Sequence, residues 1–179
     1  MNIAIIILIA IVAIIAIPLI IALFVKKDYT VEKEILINKD KNAVFDYIKH
    51  IKNQDQYSVW VMMDPNSKRT YTGTDGTAGF VYQWESENKK VGHGIQTITK
   101  VNEGEKIEFL LHFLKPFEGK ANGYMSAETI ADGQTKVKWG FKSSMKYPSN
   151  FMLLIMDLPK MLGNDMMVSL VNLKKVLES

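Results

Sequence analysis

The chain has no cysteine, so a thiolate nucleophile, a thiolate metal site and a disulfide framework are all excluded. Acid–base chemistry would have to come from histidine, tyrosine, lysine or carboxylates. Of the three histidines, His93 is the best candidate: Gly92 and Gly94 flank it where backbones approach closely, and an imidazole there could serve as a base near neutral pH. The same glycines also suit a plain β-bulge. His50 and His112 share no spacing with His93 that would bring two metal ligands together, and no metal or other cofactor is indicated. Gly92-His93-Gly94 lacks the third glycine and the strand-to-helix setting of a dinucleotide loop, and no Gly-x-Ser-x-Gly elbow occurs. Tyr82 falls on an apolar parity and could orient a ligand carbonyl or phenol, or be a core aromatic with its hydroxyl at the rim.

A second kind of chemistry is apolar recognition. Trp60, Trp84 and Trp139 with Met152, Met156, Met161 and Met166 could line an adaptable pocket, since thioethers fit irregular ligands; equally, they could be ordinary core. The strand parities add Phe80 beside Tyr82 and Trp84, then Ile107, Phe109, Leu111 and Phe113, then Val137, Trp139 and Phe141. Opposite parity carries Glu108, His112, Lys136 and Lys138. These residues therefore belong to a sheet with one aromatic face and one solvated face.

The elements that must position them follow from period and punctuation. Thr30 to Ile37 alternates as a strand, and Asp40 or Asn42 can cap a short helix burying Val44, Phe45, Ile48 and Ile51. A further helical or irregular piece spans Gln54 to Trp60. Four or five strand segments separated by glycine- and asparagine-containing turns then predict an antiparallel meander. Leu162, Met166, Leu170, Leu173 and Leu177 recur every three or four residues, which predicts a long amphipathic C-terminal helix. The order is that of an α+β domain in which this helix covers the apolar face of a curved sheet.

Ahead of that domain, Ile3 to Val25 carries no charge and would extend roughly 34 Å as a helix, enough to cross a hydrocarbon core. The basic start and small-x-small exit of a cleaved secretory signal are missing, so the expectation is a retained single-pass anchor over residues 1–27, with one soluble domain over 28–179. Lys26, Lys27, Lys33, Lys39 and Lys41 follow the span, which favours the cytoplasmic side for the domain. The net charge of +3 is spread in scattered lysine pairs, not a stripe, and gives no support to nucleic-acid binding. Oligomeric state has no signature in the sequence.

From Tyr29 to Ser179 the chain resembles the SRPBCC (START/Bet v 1-like) superfamily, in its polyketide cyclase/dehydrase-type helix-grip members. The carriers are Val44-Phe45, Trp60 with Met63-Asp64-Pro65-Asn66, Gly73-Thr74-Asp75-Gly76, Tyr82-x-Trp84-Glu85, Gly92-His93-Gly94, Phe113 to Glu118, Thr135 to Trp139, Met161 to Asp165 and Asn172-Leu173-Lys174. Two positions depart from the pattern: His93 stands where Glu is common, and Ser169-Leu170 where Gly-Leu is. The resemblance implies a seven-stranded antiparallel sheet gripping the C-terminal helix around a hydrophobic cavity, in a superfamily that mostly binds lipids, sterols and other apolar molecules. Its implied partners are a hydrophobic small molecule or lipid, with the membrane reached through the N-terminal helix. A cyclase- or hydrolase-like enzyme using Tyr82 or His93 is the alternative, and a non-catalytic interaction or stress-related protein with a vestigial cavity is a third reading.

Overall fold

The computed structural model describes residues 2–179. Helix α1 (Ile3–Phe24) is apolar on every side, so no face is set apart for a core, and Ala22 alone is buried. It is long and apolar enough to cross a membrane, a property that spans and signal sequences share.

Strand β1 (Asp28–Ile37) leads into α2 (Lys41–Ile48), whose Asp40 side chain accepts the Asn42 amide at 2.8 Å as N-cap. Val44, Phe45 and Ile48 are the buried face of α2. A 3-10 turn (Ile51–Gln56) and the single-turn α3 (Val59–Met62) make up the irregular piece expected there. The Asp75 carboxylate satisfies two otherwise free amides of that turn, Ile51 at 2.8 Å and Lys52 at 3.1 Å.

Six strands follow, more than the four or five expected: β2 (Lys68–Thr72), β3 (Val81–Glu85), β4 (His93–Asn102), β5 (Lys106–Lys115), β6 (Gly119–Ala131) and β7 (Gln134–Ser144). The uncertainty in the count lies in short elements such as β2, whose five residues carry too brief an alternation to be decisive. All seven strands form one antiparallel sheet in the order β1-β7-β6-β5-β4-β3-β2. Chain order is kept except that β1 closes onto β7.

After the one-turn α4 (Met152–Ile155), helix α5 (Leu158–Glu178) lies along the sheet. Its inward stripe is Met166, Ser169, Leu170, Leu173 and Leu177, which meets Val31, Ile37, Ile107, Phe109, Val137 and Trp139 in the core. Polar bonds fix its last turn: Lys39 Nζ donates to the Leu177 carbonyl at 2.6 Å, and Glu178 accepts the Asn38 amide at 2.6 Å. Ser169, one of the two departures noted above, has a structural use. Its hydroxyl accepts the Val59 amide at 3.0 Å and donates to the Asp165 carbonyl at 2.8 Å, tying α3 to α5.

Candidate functional site

Between the concave sheet and α5 lies a cavity of about 280 Å³. Tyr82 and Trp84 from β3, Phe109, Leu111 and Phe113 from β5, and Trp139 and Phe141 from β7 form its sheet wall, and Leu162 and Met166 form its helix wall. Trp60 and Val61 of α3 close one side. Lys90, Lys115 and Phe117 also line it and are exposed, so they mark its mouth. The rings pack on one another around the space: Trp60 meets Trp139 edge-on at 5.8 Å, Trp84 meets Phe113 at 6.2 Å, and Tyr82 stacks on Tyr71 at 5.3 Å.

Glycines make room for two of these walls. A Cβ on Gly94 would stand 2.3 Å from Trp84 Cζ2, and one on Gly123 would stand 2.1 Å from Phe109 Cε2. Each ring therefore lies over a glycine of the neighbouring strand. Arg69, the only arginine, fixes the α3 side: it pairs with Asp55 at 2.9 Å and donates to the Val61 and Asp64 carbonyls and to the Ser67 hydroxyl. Asp64 in turn accepts a hydrogen bond from Ser86.

The polar groups inside are few. Gln54, Ser58 and Gln96 are each at most 5% exposed and line the cavity. Ser58 stands at the N-cap of α3 without capping it, and the Ser169 hydroxyl takes the Val59 amide. Gln96 sits mid-strand on β4 between Tyr82 and Leu111, and its Nε2 has no hydrogen-bond partner. Burial pushes the Tyr82 phenol up to about 12, against a smaller opposing pull from Arg69. At neutral pH Tyr82 is a hydrogen-bonding group and not a base. Among the described residues the lining contains no carboxylate and no imidazole.

No family model matches the sequence, and neither does any curated protein. Solved structures do match the fold. Norcoclaurine synthase from Thalictrum flavum, in complex with dopamine and hydroxybenzaldehyde, superposes with a TM-score of 0.63 over 88% of this chain and 91% of its own, at 9% identity. Ara h 8.0201 gives 0.55 over 84% and 95% at 16% identity, and the Aha1 dimer from Colwellia psychrerythraea 0.54 over 84% and 96% at 15% identity. The chain has the Bet v 1-like helix-grip fold.

Within this helix-grip domain the structure brings together nine of the residues singled out from the sequence: Trp60, Tyr82, Trp84, Phe109, Leu111, Phe113, Trp139, Phe141 and Met166. Phe80 is fully buried against Tyr71, behind the wall. His93 alternates with inward-facing Gly94, Gln96 and Ile98, and so lies on the outer face. Its flanking glycines serve close approach: Gly92 passes the Lys115 carbonyl and Gly94 lies under Trp84. Met152 and Met156 are exposed around α4, outside the cavity, because Asp157 and Pro159 break the apolar run before α5 begins, and Met161 is exposed on α5 and also outside it. Gln54, Ser58 and Gln96 were missed. For Gln96 the signal was available, since an amide recurs there in step with Gly94 and Ile98 on the buried face of β4.

Proposed function

We propose that the domain holds an apolar small molecule, or one chain of a lipid, in the cavity between sheet and α5, while α1 keeps it on a membrane. The carrying observation is the cavity itself, an aromatic-walled space of about 280 Å³ with three buried polar side chains in its lining. Its size is near the lower end of small-molecule sites, about 300 Å³, and roughly twice the ~150 Å³ that takes benzene. A one- or two-ring molecule or a single short chain suits it.

The membrane part is supported by how α1 meets the domain. Asn150, fully buried, donates its side-chain amide to the Ala22 carbonyl at 2.7 Å and to the Val25 carbonyl at 3.1 Å, at the carboxyl end of α1. Leu154 and Ile155 of α4 are more than 60% exposed, and Leu153 and Leu154 share a groove with Ile21, Phe24 and Tyr29. Apolar surface thus continues from the helix onto the adjoining face of the domain, as an interfacial position requires. The titratable groups of the lining are Tyr82 inside and Lys90 and Lys115 at the exposed mouth, with no carboxylate or imidazole to pair with them among the described residues, which supports binding over acid–base catalysis.

Native mass spectrometry of the full chain released from nanodiscs tests this reading against a panel of lipids, isoprenoids and small aromatics. One apolar molecule per chain is expected, lost when Leu111→Trp fills the cavity. A protein that stays empty across the panel would overturn it.

A further inference from the structure

We infer that the ligand is a neutral apolar molecule carrying one buried hydrogen-bond acceptor, a ketone, ester or ether oxygen, and that Gln96 is the residue that selects it. The inference rests on the binding function proposed above. A primary amide whose Nε2 is buried without a partner carries a desolvation cost that an apolar ligand leaves in place and an acceptor removes. Gln96 is 4% exposed and lines the cavity, as do its strand neighbours Tyr82 and Leu111, so the unpaired amide belongs to a residue of the site and not of a solvent edge, and a turn of that amide brings its donor to a ligand. The buried Ser58 hydroxyl, which caps no helix, is a second polar group in the same lining. An anionic head group would instead stay at the mouth beside Lys90 and Lys115 and leave Nε2 facing hydrocarbon. The polarity of the site is therefore that of a neutral acceptor held inside.

Equilibrium dialysis of the full chain in phospholipid nanodiscs against three probes of one shape, 2-acetylnaphthalene, 2-ethylnaphthalene and 2-naphthoate, tests this, with empty nanodiscs giving the partition baseline. The ketone is expected to bind the wild type about tenfold or more tighter than the hydrocarbon, because an unmet buried polar group discriminates strongly. In Gln96→Leu the two should bind alike, with the hydrocarbon retained. In wild-type protein labelled with 15N-glutamine, the ketone alone should shift the Gln96 side-chain amide, a readout that needs no variant. Equal binding of ketone and hydrocarbon to the wild type, a ketone preference that survives Gln96→Leu, or tightest binding of the naphthoate would each overturn the inference and leave the cavity's binding role standing. If no probe binds above baseline the inference falls alone, and the binding role is decided by the wider lipid and isoprenoid panel.

Discussion

The indole of Trp84 occupies the place that a side chain on Gly94 would take: a Cβ there would stand 2.3 Å from Cζ2 and 2.5 Å from Cη2. Two strands thereby share one ring, and the ring is cavity wall. Gly94→Ala forces the indole away from β4 and into the cavity. We expect a loss of stability of about 1–3 kcal/mol, the usual cost of overpacking, together with weaker ligand binding. Urea unfolding and probe titration on the same preparation measure the two effects; unchanged stability would mean that the indole moves freely.

Arg69 should not be replaceable by lysine. Its guanidinium reaches Asp55, two carbonyls and a hydroxyl at once, and an ammonium cannot span that set. Arg69→Lys is expected to speed amide exchange several-fold across residues 59–67 while leaving β5 to β7 unaffected. Uniform exchange changes along the whole chain would point to a global effect instead.

The Tyr82 phenol gives the stability a sign at high pH. Burial raises it to about 12 from an ordinary value near 10, so the folded protein holds this proton more tightly than the unfolded chain does. Its contribution is complete below pH 10 and is lost as pH climbs from 10 to 12. Comparing urea midpoints of wild type and Tyr82→Phe at pH 9 and pH 11.5 isolates it; the wild type should lose more over that interval.

Asn150 predicts a protected junction. With its amide on the Ala22 and Val25 carbonyls, the segment holding Lys26 and Lys27 stays close to the domain, and the Lys27 carbonyl also accepts the Met145 amide at 2.9 Å. In Asn150→Ala, trypsin should cut after Lys26 or Lys27 several-fold faster. Equal cleavage rates in both proteins would show that the bonds do not hold the junction.

The architecture was legible wherever many residues repeat one signal. The leucine stripe of α5, the aromatic parity of β5 and β7 and the uncharged run of α1 each carry their message several times over. Single side chains were harder. Gly92-His93-Gly94 suits a bulge more readily than a catalytic base, and the sheet does shift register between His93 and Gly94, but why glycines stand there shows only when Trp84 and Lys115 are placed against them, since a glycine's reason lies in its spatial neighbour. The run Phe151 to Met156 has the composition of core, yet Asp157 and Pro159 start a new helix there and leave Leu154 and Ile155 exposed. The polar lining escaped notice for the opposite reason. Gln54, Ser58 and Gln96 are ordinary residue types, and only burial beside an open space makes them unusual.

The bonds from Asn150 to the end of α1 also govern how the domain meets its surroundings. A domain on a slack tether samples a hemisphere, and its encounter rate with anything in the bilayer is set by tether length. Here the domain is mounted and not leashed, so in a membrane the cavity mouth at Lys90, Lys115 and Phe117 would keep one heading relative to the lipid surface. On the membrane placement proposed above, the effective concentration of a bilayer-dissolved molecule at that mouth would be a fixed property of the fold.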